Sequence, residues 1–393
     1  MQSPAPAKSL MWITERPDLV FVRGEGSWLT DGNGKMYLDF VQGWAVNALG
    51  HGHPDIVRAI ASQASRLINP SPAYFNEPSM ELATLLTEHS VFDRVFFANT
   101  GAEANEGAIK LARKWGQLNK GGAFEIITFD NAFHGRTLAT MSASGKPGWD
   151  TRFAPQVPGF PKAKLNDLSS VEALINEKTV GVMLEPVQGE AGVIPADADF
   201  MRGLRELTTR HRLLFIVDEV QTGVGRTGKL FAYEHAGVEP DLMTLGKGLG
   251  GGVPLAALLA REAYCCFSAG DQGGTFCGNP LATAAGVAVM KAVLAPGFLD
   301  EVARKGAHLT TRLNALSKSL GLKGARGAGL LQALVLPDDR AAAVVTGGQQ
   351  RGPMGLLINA PRPDLLRLMP ALTVTIEETD LMVAWLGELL QRN

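Results

Sequence analysis

Cysteine is scarce in this chain: 3 residues among 393, two of them adjacent at Cys265 and Cys266. That excludes a disulfide framework and fits thiols kept reduced, so a cytoplasmic location is expected. An excess of either charge is also missing. Lys and Arg number 37 against 39 Asp and Glu, a formal charge of −2. The balance removes the electrostatic case for nucleic acid or an anionic membrane as partner. No apolar run reaches the roughly 18 residues expected of a spanning helix. Met1 to Lys8 lacks a basic front and a long apolar core, so no signal peptide is expected. No repeat, low-complexity tract or linker interrupts the chain. What remains is 46% hydrophobic and 19% charged, enough for a large core, and the length corresponds to about two to three domain-sized units.

To about Asn69 the pattern is one of short strands and turns. Asp31-Gly-Asn-Gly34, between Gly26–Thr30 and Lys35–Asp39, predicts a hairpin. Ile56, Val57, Ile60, Ala64 and Leu67 predict a helix over 56–68. From Ser71 to Pro280, apolar strands alternate with helical stretches. The strands are expected at Val95–Ala98, Glu125–Phe129, Val180–Leu184, Leu213–Val217 and Leu242–Leu245. Continuous apolar runs of that length suit strands buried on both faces, in a mostly parallel sheet: an α/β architecture. Helices near 282–293, 299–320 and 378–390, with Gly-rich strands between, predict a smaller α+β unit. The boundaries read as 1–70, 71–280 and 281–393.

Polar residues follow these strands instead of sitting inside them. Thr100-Gly101, His134-Gly135-Arg136, Glu185, Asp218 and Lys247 each come just after one. In open parallel sheets, ligands bind outside the carboxyl ends of strands. Lys247 lies in Leu245-Gly-Lys-Gly-Leu-Gly-Gly-Gly252. Glycines remove bulk around the amine, so a large flat group can approach it. Partly desolvated, such a lysine has a lowered pKa and attacks carbonyls to form a Schiff base. Asp218, in Phe215-Ile-Val-Asp-Glu-Val-Gln221, is the kind of carboxylate that holds a protonated pyridine nitrogen. The two together point to pyridoxal 5′-phosphate. Neighbours on a strand face opposite ways, so Glu219 is read as structural. Thr100 and Glu103 have capping-box spacing at a helix start, an ordinary cap by itself and a phosphate seat beside such a lysine.

Other readings compete. Gly223-Val-Gly-Arg-Thr-Gly-Lys229 matches G-x-x-x-x-G-K, which keeps a nucleotide triphosphatase in view, but Leu230 stands where a Mg²⁺-binding Ser or Thr is required. Gly246–Gly251 fits G-x-G-x-x-G poorly because of its lysine. His51-Gly-His53 lacks partners at ligand spacing, so turn histidines are expected and no metal. A noncatalytic binding protein on the same fold is possible in principle, but binding the cofactor without chemistry does not require an amine.

With these residues in place, the chain resembles the class III (ornithine-type) aminotransferases of PLP fold type I, over roughly Leu29 to Leu389. The likeness rests on Asn99-Thr-Gly-Ala-Glu103, Phe133-His-Gly-Arg-Thr137, Glu185-Pro-Val-Gln-Gly-Glu190, Val217-Asp-Glu-Val-Gln-Thr222, Leu245-Gly-Lys-Gly248 and Gly274-Thr-Phe-Cys-Gly-Asn-Pro280. It implies a large domain with a mostly parallel seven-stranded sheet, and a small α+β domain drawn from both chain ends. It implies that Lys247 binds the cofactor and then serves as general base and acid. Asp218 would keep the pyridine nitrogen protonated. Phe133 and Val220 would flank the ring, Gln221 would bond its hydroxyl, and Thr100, Gly101 and Ala102 would hold the phosphate. Thr275 would reach the phosphate of a neighbouring subunit, so a homodimer with shared sites is implied. Arg136 and Arg367 resemble the family's carboxylate clamps, and Glu190 the acid that covers Arg367 in one half-reaction. For Arg367 a surface strand position, and for Glu190 a plain turn cap, are the simpler alternatives. The substrates would be an amino acid and a 2-oxo acid. Within the family the compact length and the Phe133–Thr137 block are most similar to members acting on N2-acetyl-L-ornithine, and the resemblance then implies transfer of its terminal amine to 2-oxoglutarate, in arginine biosynthesis. Succinylornithine, N-succinyl-diaminopimelate, ornithine and 4-aminobutyrate are the alternative donors. Cys277 departs from the family, standing where glycine is expected in many relatives.

Overall fold

The predicted hairpin forms between strands Trp28–Asp31 and Met36–Asp39. Its turn is closed by the Asp31 carboxylate, which accepts from the amides of Asn33 and Lys35. Strand Phe21–Glu25 pairs on one side, and Met354–Leu357 joins Met36–Asp39 in parallel on the other. The computed structural model describes residues 9–392. Met1–Lys8, where no signal peptide is expected, lies outside them.

The central sheet has seven strands. Their order is Arg94–Ala98, Ala256–Ala260, Leu242–Leu245, Leu214–Asp218, Thr179–Leu184, Glu125–Phe129 and Lys162–Ala163. The last five run parallel. Ala256–Ala260 is antiparallel to both neighbours, so Arg94–Ala98 points the same way as the parallel set. Every strand predicted from an apolar run is present, and all their carboxyl ends face one edge. Ala256–Ala260 and Lys162–Ala163 were not predicted. The first reads Ala-Ala-Leu-Leu-Ala, a composition without β-branched residues; the second is only a pair of residues.

Helix Gly101–Asn119 buries Ala104, Ala108, Ile109, Leu111 and Ala112 against this sheet. The helix expected at 56–68 spans Pro54–Ala64, capped at its start by His53. It ends at Ala64, and beyond that end the Gln63 side-chain amide donates to the Leu67 carbonyl. Helices Pro280–Val293, Phe298–Leu320 and Ile376–Arg392 match the remaining predictions within a few residues. A second sheet orders Ala325–Ala328, Leu331–Val335, Leu365–Leu368 and Asn359–Arg362. Among the described residues no single helix is long and apolar enough to cross a membrane.

The Gly223–Lys229 loop is not a phosphate loop. It leads to a short 3-10 turn at Ala232–Ala236, whereas a phosphate loop must open a helix. It packs instead against the second sheet. Arg226 is 2% exposed and donates to the carbonyls of Leu330 and Pro370, at the start and end of two of its strands. Burial pushes its pKa down to about 10.

Candidate functional site

Lys247 follows strand Leu242–Leu245 and opens a tight 3-10 turn with φ of 43°. Few residues other than glycine adopt that conformation, and it costs of order 1–3 kcal/mol. A second strained segment packs against it. Gln42, Gly43, Trp44 and Ala45 all have positive φ, between 48° and 65°. Asp39 holds that turn by accepting from the Val41 and Gln42 amides. Lys247 is half-buried. Even so, desolvation pushes its pKa down, against the pull of Asp218 and with Arg367 adding repulsion. A lysine so placed is present as the free amine, able to attack or accept a proton, in a larger fraction near neutral pH than a surface one.

Asp218 ends strand Leu214–Asp218 and is 4% exposed. Its Oδ2 accepts from His134 Nδ1 and Asn105 Nδ2, both at 2.8 Å, and its Oδ1 from the Val220 amide at 3.0 Å. Asn105 also donates to the His134 carbonyl and accepts from Thr244 Oγ1 at 2.6 Å. One network therefore ties the helix, both strands and the Phe133–Thr137 segment to a single carboxylate. A carboxylate has only acceptors, so the proton between it and His134 sits on Nδ1. Glu219, next along, faces away. It is 1% exposed and accepts from the amides of Ala232 and Tyr233 and from Thr222 Oγ1. Burial still pushes its pKa up to about 7.

Thr100 caps helix Gly101–Asn119 in a full capping box. Thr100 Oγ1 takes the Glu103 amide, while Glu103 takes those of Asn99 and Thr100. The amides of Gly101 and Ala102 are left for an external anion. Gly101 is needed for space: a Cβ there would sit 2.6 Å from a Val220 methyl. The helix start, Val220 and the Lys247 turn thus meet with no side chain between them.

Arg367, expected as a clamp, is no surface residue. It is 1% exposed in strand Leu365–Leu368 and pairs with Glu190 Oε1 at 2.8 Å. Its Nε and Nη2 also donate to Asn359 Oδ1, while Nη1 is buried without a partner. Burial raises the Glu190 pKa, but Arg367 and then Lys146 outweigh it and hold the carboxyl below its usual range. Gln221 lies beside this pair; a Cβ on Gly189 would collide with its Oε1 at 1.7 Å. Arg136 is exposed, its guanidinium 5.5 Å above the Trp149 ring. Phe133 meets the same ring edge-on at 5.8 Å and donates its amide to Glu185. Burial and the nearby Asp218 push the Glu185 pKa well up, against that amide and Lys247.

Thr275 stands apart. It is exposed, and its carbonyl accepts from Asn69. Cys277 packs its Sγ against Gly274 and lies 3.9 Å from Asn99 Nδ2. His51 bonds Asp39 at 2.8 Å and His53 caps a helix, as turn histidines do. The sequence marked His134 and Glu185 only by their place just after strands, with no role attached, and left Asn105, Lys146 and Trp149 unmarked. For Asn105 a polar residue on an apolar helix face was the readable signal.

The Aminotransferase class-III family model matches residues 13–390. The chain belongs to that family. It is 63% identical to an acetylornithine aminotransferase of Ralstonia nicotianae, over 98% of each chain. It is 66% identical to acetylornithine aminotransferase 2 of Bordetella bronchiseptica, over 93% of each. Among solved structures it resembles N-acetylornithine aminotransferase of Stenotrophomonas maltophilia, with TM-score 0.82 and 34% identity over 95% of this chain and 96% of that one. The fold is PLP fold type I. The cofactor of this class-III aminotransferase is pyridoxal 5′-phosphate. The residues fit it: an amine, a buried carboxylate held by His134 and Asn105, and a helix start at Gly101 against which Val220 packs closely.

Proposed function

We propose that this aminotransferase moves the terminal amino group of N2-acetyl-L-ornithine to 2-oxoglutarate, giving N-acetyl-L-glutamate 5-semialdehyde and L-glutamate. The observation that carries the reading is the Glu190–Arg367 pair at 2.8 Å. A terminal-amine donor brings a methylene, not a carboxylate, next to the reacting carbon. Arg367 would then be a buried cation without an anion, which is costly. Glu190 supplies the anion. Glutamate and 2-oxoglutarate bring their own carboxylate to that place, and Glu190 has to move aside. Arg136 takes the distant carboxylate of acetylornithine, since a guanidinium fork suits a carboxylate.

When bound, the cofactor draws electrons away from the substrate carbon. Lys247 Nζ would take up the proton from that carbon as a general base and later return it as a general acid. Proximity and its lowered pKa both favour this role. Asp218, its orientation fixed by His134 and Asn105, would keep the ring nitrogen protonated. Phe133 and Val220 would bound the ring, Gln221 would meet its hydroxyl, and Thr100, Gly101 and Ala102 would seat the phosphate.

Glu190→Ala is expected to leave the glutamate half-reaction equal or faster and to slow the acetylornithine one by roughly tenfold. Rapid mixing with each substrate measures it; equal changes in both would leave Glu190 a turn residue and remove the main support for the reading.

The working unit is a cytoplasmic homodimer; of the described residues, those up to 70 and from 281 on form the small domain and 71–280 the large one. Tyr74, Phe75 and Phe276 are 70%, 90% and 61% exposed, and their two segments are joined by the Asn69–Thr275 and Asn76–Gly278 bonds. Such an aromatic surface suits a subunit contact, with Thr275 completing the partner's phosphate site. Dilution to monomers is expected to release cofactor and activity together. An active, cofactor-saturated monomer in sedimentation would contradict this.

A further inference from the structure

Glu190 has two cations within reach, and the mechanism above uses one. Its Oε1 lies 2.8 Å from Arg367 Nη2, while its Oε2 faces Lys146 Nζ at 3.8 Å. The two cations differ in kind. Arg367 is enclosed, at 1% exposure, and locked to Asn359. Lys146 is 35% exposed and has its ammonium 5.6 Å above the Trp149 ring. That ring is 5% exposed and carries Arg136 as well. The indole therefore fixes the place of Lys146 without using up its charge, since a cation over an aromatic face keeps its donors.

We propose that Lys146 is the second resting place of the Glu190 carboxylate, the partner it turns to when a substrate carboxylate occupies Arg367. The proposal rests on the reading of Glu190 as the cover of Arg367. When that cover opens, a partly buried carboxylate loses its closest cation. Left without another, it would sit beside the incoming substrate carboxylate, and like charges in a partly dry site repel. Lys146 offers a full ion pair after a short rotation of a carboxylate already within 3.8 Å. The swing then exchanges one ion pair for another, and the cost of opening falls. Lys146 acts as a positioning residue: it touches neither cofactor nor reacting atoms, and works through Glu190. Its effect belongs to the glutamate and 2-oxoglutarate half-reaction alone, because acetylornithine leaves Glu190 on Arg367.

The test is a set of half-reactions on the cofactor-loaded enzyme with Lys146→Met, Lys146→Arg, Glu190→Ala and the double variant Lys146→Met/Glu190→Ala. Lys146→Met is expected to weaken apparent glutamate and 2-oxoglutarate binding roughly fivefold, the scale of a partly exposed ion pair. It should leave the acetylornithine half-reaction unchanged. Lys146→Arg should restore glutamate binding. In the Glu190→Ala background, Lys146→Met should have no further effect on glutamate. If Glu190→Ala acts selectively but Lys146→Met is silent, or shifts both half-reactions equally, or acts the same without Glu190, the Lys146 proposal alone is wrong. If Glu190→Ala itself shifts both half-reactions equally, the cover reading fails and takes this proposal with it.

Discussion

Lys247→Ala is expected to abolish turnover, with kcat falling by roughly 10⁴ or more. In the proposed mechanism this amine both binds the cofactor carbonyl and carries the proton, so both functions would leave together. The fold should survive. Lys247 lies in a turn whose partners are mainly backbone and glycine, and removing a desolvated ammonium relieves a cost instead of adding one. The variant should keep its far-ultraviolet circular dichroism while losing the visible absorbance of bound cofactor. In the native enzyme, borohydride reduction followed by peptide mapping should place the label on Lys247; label on another lysine would refute the assignment.

Asp218→Asn should be almost as damaging to turnover by another route. The Oδ2 atom accepts two hydrogen bonds and Oδ1 one. An amide can keep the first two only by turning its NH2 toward the Val220 amide, leaving a donor facing a donor. That is worth about 1–3 kcal/mol of stability, so melting should shift by a few degrees without unfolding the protein. The larger loss is catalytic. In the proposed role a neutral side chain would no longer hold a proton on the ring nitrogen, and removing a preorganised charge costs about 3 kcal/mol or more, a fall in kcat of order 10² to 10³. Asp218→Ala should fall at least as far. Near-normal turnover in either variant would separate Asp218 from the cofactor.

Much of the site was readable because buried parallel strands announce themselves as unbroken apolar runs. Leu214–Asp218 and Leu242–Leu245 are fully buried in the structure, and the polar residues after them had to emerge at the same edge. The apolar setting of Arg367 was visible too, but its direction was not. All four residues of Leu365–Leu368 are buried, so no alternation told one face from the other. The network behind Asp218 was hidden for a different reason. Asn105, His134 and Thr244 come from three separate segments, and only the folded sheet brings them to one carboxylate. Trp149 and Lys146 lie in an irregular stretch after a short helix ending at Ala143, where no periodicity orients a side chain. Pairing of Met36–Asp39 with Met354–Leu357 was equally out of reach, since register between distant strands leaves no local mark.

A donor panel tests the central claim most directly. The cofactor-loaded enzyme is mixed in single-turnover experiments with N2-acetyl-L-ornithine, N2-succinyl-L-ornithine, N-succinyl-diaminopimelate, L-ornithine and 4-aminobutyrate, and the change in cofactor absorbance is followed. Acetylornithine is expected to give the highest ratio of rate to apparent Kd, and the aminated enzyme so formed should be returned to its starting spectrum by 2-oxoglutarate. A higher ratio for any other amine, or an aminated enzyme that 2-oxoglutarate does not restore, would contradict the account.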